Sequence, residues 1–224
     1  APDALERAQA FFRSMTLRIR HGQVTGQPIH DITAYAHAMA AFARAYCAAP
    51  SVELLEQYVL LLRHLEEQNI AFNWYHGRGI ASSVLRMRKP LAAGGMLSHT
   101  ISFLRQAYEF GKVYTVSSHH GIPGKIFEDS DAVATELPSL LACILLTEST
   151  PEKVRDMRHF LYYLEHVCLG TAPGIASGYK PDGTIFHHGG YIRNYQKVAL
   201  YTLARILRLL SGTVFEPSSA SHAR

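Results

Sequence analysis

The stretch from about residue 194 to 211 constrains the fold most. Val198, Leu200, Tyr201, Leu203, Ala204, Ile206, Leu207, Leu209 and Leu210 crowd a helical repeat, and Lys197, Arg205 and Arg208 mark only a narrow wet face. A helix that is apolar nearly all round is stable only when neighbours cover it, so this one predicts burial among other helices. The same period recurs upstream. Residues 3–20 carry Leu5, Ala8, Phe11, Phe12, Met15 and Leu17 near a 3.6 repeat, with Pro2 suited to the first turn and Gly22 to the end. An Ala-rich helix over 32–48 is opened by Pro28 and Asp31 and closed by Pro50. Ser51 is a good N-cap for a helix over 52–68, and Glu53 sits where the helix dipole favours an acid. Its apolar face is Leu54, Leu55, Val59, Leu61 and Leu62.

Residues 69–92 read as less regular. Further helices are expected over 92–110, over 129–147 with a kink at Pro138, and over 150–169 with Pro151 in the first turn. Val113-Tyr114-Thr115-Val116 would make an isolated strand with nothing to pair with, so 112–126 reads as an extended loop. These helices, joined as successive hairpins, predict an all-α fold of stacked antiparallel pairs. They form one helical domain over 1–215, followed by a Ser-rich flexible tail over 216–224.

The chain has 224 residues, 48% of them hydrophobic, enough for one good-sized core or two small ones. The formal net charge is +4 and the pI about 9.0, which suits an anionic partner. The densest basic cluster, Arg86-Met87-Arg88-Lys89, is short, so no nucleic acid is expected. No apolar run reaches the roughly 18–20 residues that span a bilayer, so no membrane partner is expected. Cys47, Cys143 and Cys168 lie in apolar helical contexts, and an odd count without Cys-x-x-Cys spacing predicts neither a disulfide framework nor a zinc site. Thirteen histidines include no His-Glu-x-x-His, so no metal or cofactor is expected. The opening Ala-Pro-Asp-Ala has no basic n-region or apolar h-region, so no leader is expected there: either none existed or it has been removed.

Two stretches concentrate chemistry. The first runs from Pro181 to Tyr195. Pro181-Asp182-Gly183 is a turn sequence, and the long Gly/Pro-rich segment over 170–183 exceeds a simple bundle connection. His187, His188, Tyr191, Arg193 and Tyr195 then sit on a loop at a helix mouth, where binding and catalytic groups are often held. The bland alternative is a polar turn with solvated histidines. The second stretch is Asn73-Trp74-Tyr75-His76-Gly77-Arg78-Gly79. It reads either as an inter-helix loop whose Trp plugs the core or as an aromatic platform for a sugar ring, with Asn73, His76 and Arg78 as polar contacts. His119-His120 reads as a solvated turn or a cleft-lining pair.

Asp182-Gly183-Thr184, then Phe186, His188, Gly189 and Tyr195, resembles the catalytic loop of polysaccharide lyase family 8, nearest to the broad-specificity chondroitin sulfate ABC lyases. Those enzymes carry an Asp-Gly-Thr turn, a His soon after, then a Gly, and a Tyr seven residues past the His. His188 and Tyr195 have that spacing. The resemblance covers roughly residues 127–215. It implies an incomplete (α/α) toroid with a cleft at one rim, on which the loops carrying Trp74, His119-His120 and His188 are expected to converge. It also implies a secreted or periplasmic enzyme acting on an acidic polysaccharide.

A lyase acting on a uronic acid removes the weakly acidic C5 proton and expels the 4-linked sugar. The adjacent carboxylate must be neutralised, a base must take the proton, and an acid must protonate the leaving oxygen. The resemblance implies Tyr195 as acid and often also base, and His188 as base or carboxylate partner according to the uronic-acid epimer. Trp74, Asn73, His76, His187, Tyr191 and Arg193 are the expected substrate contacts, and Arg193 is a candidate cation beside Tyr195. The family also uses an Arg and, in the ABC type, a Glu, both further along than this chain extends. No Asn stands near Ala134, Thr135 and Glu136 where the family has a polar group, and the β-sandwich domains that follow the toroid are absent. The chain is thus a fragment of a longer parent, one piece of a cleaved enzyme, or a relative with an incomplete site. The main expectation is a lyase of chondroitin or dermatan sulfate, with hyaluronan as a further substrate. The alternatives are a non-catalytic helical module that binds acidic polysaccharide and a helical-repeat scaffold that binds protein.

Overall fold

The computed structural model describes residues 3–68, 75–115 and 127–219. They fall into two compact units, residues 1–108 and 109–224, each mainly helical. No helix among the described residues is long and apolar enough to cross a membrane.

In the first unit, α1 (Ala4–Ser14) starts from a capping box. Asp3 accepts the Glu6 N–H at 2.8 Å, and the Glu6 carboxylate accepts the Asp3 N–H at 3.0 Å. The helix expected over 3–20 ends at Ser14. Thr16 turns left-handed at φ 47°, and an antiparallel hairpin of β1 (Arg18–Arg20) and β2 (Gln23–Thr25) follows. His21 and Gly22, both at positive φ, make its two-residue turn, the geometry that matches strand twist. Only Val24 of the hairpin is buried, and its N–H donates to Glu67.

The expected helices over 32–48 and 52–68 form as α2 (Ile32–Ala48) and α3 (Val52–Gln68). Asp31 accepts the Ala34 N–H at 3.0 Å, and Ser51 Oγ the Leu54 N–H at 3.2 Å. Tyr35, Met39, Phe42, Tyr58, Leu61, Leu62 and Leu65 make the core between them. The Tyr35 hydroxyl donates to the Leu61 carbonyl at 2.9 Å, so this buried phenol is satisfied.

The stretch expected to be irregular contains α4 (Ile80–Arg86) and α5 (Arg88–Ala93). The single helix expected over 92–110 is broken by Gly94-Gly95, with Gly95 at φ 70°, and α6 covers Leu97–Ala107. Glycine is the residue that adopts this φ without strain.

The second unit opens with a 3-10 turn over Phe110–Tyr114 in place of the expected loop. The helix expected over 129–147 is kinked as Pro138 requires, into α7 (Ser130–Thr135) and α8 (Leu137–Leu146). α8 is almost wholly buried and forms the centre of the unit. α9 (Thr150–Tyr163) continues into a π-helical turn over Leu164–Cys168. Two buried polar pairs stand in this unit: Lys112 with Glu136, and the Tyr163 hydroxyl donating to Glu128 at 2.7 Å. Cys143 and Cys168 are buried thiols, whereas Cys47 of the first unit is exposed.

The loop over 170–192 is structured. β3 (Gly178–Tyr179), β4 (Ile185–His187) and β5 (Gly190–Tyr191) form an antiparallel sheet in that order. The Pro181-Asp182-Gly183 turn joins β3 to β4, with Gly183 at φ 79° and its N–H donating to the Lys180 carbonyl at 2.9 Å. Asp182 accepts both the N–H and the hydroxyl of Thr184, at 3.0 and 2.7 Å, which holds its carboxyl below the usual range.

Last comes α10 (Arg193–Leu210), which packs on α7, and Thr202 donates to the Ala134 carbonyl at 3.2 Å. Contrary to expectation it buries one face only: Ala199, Thr202, Leu203, Ile206 and Leu210. Val198, Leu200, Tyr201 and Leu209 are exposed. Ser218 N–H donates to Glu165 at 2.6 Å, which ties the segment after α10 to the end of α9.

Candidate active site

Three elements of the second unit meet at the β4–β5 hairpin: the hairpin itself, the start of α7 and the start of α10. The hairpin turn is His188-Gly189. Both have positive φ, 51° and 79°, and the flanking His187 and Gly190 are paired in register. A two-residue turn with both φ values positive is the tight hairpin turn that strand twist favours. Glycine adopts the second position freely. An imidazole in the first is uncommon, and such backbone strain gathers at functional sites.

This turn exposes His188 while strand alternation sends its neighbour inward. His187 is 3% accessible, like Ile185 two residues before it. Adjacent histidines therefore have opposite environments. The His188 ring stands edge-on to Tyr195, 6.0 Å between centroids at 90°. The His187 ring lies tilted beside the same tyrosine at 4.4 Å and beside His188 at 3.9 Å. Tyr195 is in the first turn of α10 and half-buried.

His187 faces two carboxylates at the start of α7. Its Nδ1 is 3.7 Å from Asp129 Oδ2, and its Nε2 is 3.4 Å from Asp131 Oδ2. Asp129 is also the N-cap of α7, its Oδ1 accepting the N–H groups of Asp131 and Ala132 at 3.1 and 3.0 Å. In the sequence Asp129 marks only a helix start, and Asp131 carries no signal of its own. The Asp129-Ser130-Asp131 run is visible in the sequence, but nothing local ties it to a histidine so far along the chain.

Lys180, which follows β3, is nearly buried, donates to the Ala172 carbonyl at 3.2 Å and lies 4.7 Å from the Phe186 ring centre. Burial lowers its ammonium pKa.

The structure thus brings together His187, His188 and Tyr195 of the sequence-predicted residues. Tyr191 is exposed on β5, opposite Phe186. Arg193 is exposed at the first position of α10. It lies two residues from Tyr195, a spacing at which helical side chains do not face one another. His76 belongs to the first unit, where its Nδ1 is 3.2 Å from the Thr33 hydroxyl and its ring meets Tyr75 edge-on at 5.4 Å. Arg78 stacks on the other partner of that pair, 4.6 Å from the Tyr75 ring centre. Asn73, Trp74, His119 and His120 lie outside the described residues. No group of three or more His, Cys, Asp or Glu among the described residues has metal-binding geometry.

Comparison with known proteins sets this geometry in context. The chain is 27% identical over 179 residues to a chondroitin sulfate ABC exolyase of Bacteroides thetaiotaomicron, covering 76% of this chain and 17% of the relative. It is 24% identical over 181 residues to the chondroitin sulfate ABC exolyase of Proteus vulgaris, covering 77% and 18%. It is also 24% identical over 175 residues to the endolyase of the same organism, covering 73% and 16%. The chain therefore spans less than a fifth of the length of these curated relatives. In fold it is similar to the chondroitin AC lyase of Streptomyces coelicolor A3, solved in complex with chondroitin sulphate. The TM-score is 0.68 at 15% identity, covering 98% of this chain and 30% of that one. A family model described as "Lyase, catalytic" matches residues 5–224. The chain therefore belongs to the family defined by that lyase catalytic region.

Proposed function

We propose that the chain is the helical catalytic segment of a polysaccharide lyase that cleaves chondroitin and dermatan sulfate, and also hyaluronan, by β-elimination. The observation that carries this reading is the pairing of His188, on a strained hairpin turn, with Tyr195, on the first turn of α10, at 6.0 Å and edge-on. Family membership and the names of the relatives support it.

The chemistry follows from the two side chains. His188 is exposed and able to reach a polymer lying across the hairpin. As a base it takes the C5 proton, and as an imidazolium it neutralises the uronate carboxylate while charge builds there. Tyr195 donates its hydroxyl proton to the leaving 4-linked oxygen, which leaves as the C4–O bond breaks and the C4–C5 double bond forms. For the epimer whose C5 proton faces it, Tyr195 also acts as base, first taking that proton and then passing it on. Tyr191 and Arg193, both exposed and in the same unit, are further sequence-predicted contacts for the polymer. The net charge of +4 favours an anionic substrate.

In this reading the helices form part of an incomplete toroid, and the remainder of a longer parent chain contributes the family's Arg and Glu. A secreted or periplasmic location goes with a polymeric substrate. The test is absorbance near 232 nm, where an unsaturated uronate absorbs, with each of the three polymers and with Tyr195→Phe run in parallel. A rising signal that Tyr195→Phe abolishes establishes the lyase. A flat trace with salt-sensitive binding establishes instead a module that binds acidic polysaccharide, and absence of binding removes both.

A further inference from the structure

We propose that His187 is a positioning residue: an imidazolium clamped between Asp129 and Asp131, against which the ring of Tyr195 is set in place for its work. The role assigned to Tyr195 rests on the lyase reading, whereas the clamp does not.

Three observations converge on it. First, both ring nitrogens of His187 face carboxylate oxygens, at 3.7 Å for Nδ1 and 3.4 Å for Nε2. Neutral imidazole has one N–H and one acceptor nitrogen, so in either tautomer it would turn a lone pair toward a carboxylate. Only the imidazolium has an N–H for each. Second, the acids are themselves held. Asp129 is committed to α7 through Oδ1, leaving Oδ2 for the histidine, and Asp131, second residue of the same helix, is anchored through its backbone N–H to that Oδ1. Third, the His187 side chain is 4% accessible, against 13% and 25% for the two acids, so the ion cluster is shielded from solvent on its cationic member.

The groups around His187 are Asp129 and Asp131 from α7, His188 from the hairpin and Tyr195 from α10. Lys180, on the adjoining strand connection, is turned to the Ala172 carbonyl. The centroid of the Tyr195 ring is 4.4 Å from that of His187. An imidazolium with a carboxylate facing each nitrogen is held in orientation, and it fixes the plane of the tyrosine ring beside it. His187 thus positions Tyr195 without touching substrate, whereas His188 stands in the open on the hairpin turn.

The first arm of the test needs no activity. In imidazole-labelled chain, the His187 signals are assigned by their loss in His187→Gln and followed against pH. With the clamp, Asp131→Asn lowers the pH at which they titrate by about one unit, as expected for loss of one neighbouring opposite charge. An unchanged titration overturns the clamp. The second arm separates kcat from KM in the lyase assay. His187→Gln should lower kcat about tenfold or more with KM little changed, as expected for a misplaced reacting group. His187→Arg, a permanent planar cation that stacks on aromatic rings and bonds carboxylates, should restore kcat. A kcat unmoved by His187→Gln overturns the role in positioning Tyr195. If His187→Gln does not fold, the partly exposed Asp131→Asn carries the same kcat test. An intact clamp in a chain without lyase activity removes the catalytic reading and leaves the clamp standing.

Discussion

The rings of His188 and Tyr195 meet edge-on at 6.0 Å, one from a hairpin turn and the other from the first turn of a helix. Two rigid elements thus fix the relative placement of two groups that a loop alone would leave variable. Removing the hydroxyl while keeping the ring isolates its chemistry. Tyr195→Phe is expected to lower kcat for chondroitin sulfate by about 10²-fold or more, the range for loss of a general acid–base group. The thermal midpoint should change little, because the ring packing against His187 remains. Initial rates near 232 nm and a thermal melt check both halves.

His188 separates function from stability. Its φ of 51° is strained for an imidazole-bearing residue and free for glycine. His188→Gly is expected to raise unfolding stability by up to about 1 kcal/mol while lyase activity falls about 10²-fold or more. Chemical denaturation and the lyase assay on one preparation decide it. A loss of stability would show that the imidazole, and not the turn, holds the hairpin.

The buried Lys112–Glu136 pair should be costly to break by halves. Burial pushes the Lys112 ammonium down to about 7. Lys112→Met leaves Glu136 without its cation and is expected to cost about 3–5 kcal/mol. Lys112→Met with Glu136→Leu is expected to recover most of that loss. Denaturant midpoints of the two single variants and the double variant measure the coupling.

Glu66 gives a pH dependence of defined sign. Its carboxyl is nearly buried, accepts the Thr100 hydroxyl at 2.6 Å, and has its pKa raised by burial above the ordinary value. Between the unfolded value and that raised value the folded state holds more protons than the unfolded state. Stability therefore falls as pH rises through this window. Glu66→Gln removes the penalty and keeps an acceptor for Thr100. The variant should have the higher denaturation midpoint at about pH 7, and the difference should close near pH 4, where both states of the wild type are protonated.

Much of the helical plan was legible because it is local. Asp31 and Ser51 cap where a short polar side chain before an apolar period should cap, and Pro138 divides a helix where it must. The helical pattern runs past Ser14 because Met15 and Leu17 continue the apolar period of α1. Only the paired left-handed residues His21 and Gly22, and the burial of Val24, make a hairpin of it. The strands around His188 were read as loop for a related reason. Runs of two or three residues are too short to show an alternation of period two, and a His-His-Gly-Gly sequence looks like a turn throughout. The exposed apolar side of α10 was hidden because composition reports how apolar a helix is, not how much of it neighbours cover.

The helical class, the caps, the Asp182-Gly183-Thr184 turn and the seven-residue spacing of His188 and Tyr195 are written locally, since they depend on residues close in the chain. Tertiary structure alone decided which of two adjacent histidines is exposed and which is buried, and that Asp129 and Asp131 face the buried one. Strand alternation makes the first choice, but its register is set by pairing with β3 and β5. The second depends on α7 and α10 packing together, a contact between distant segments that no local pattern records.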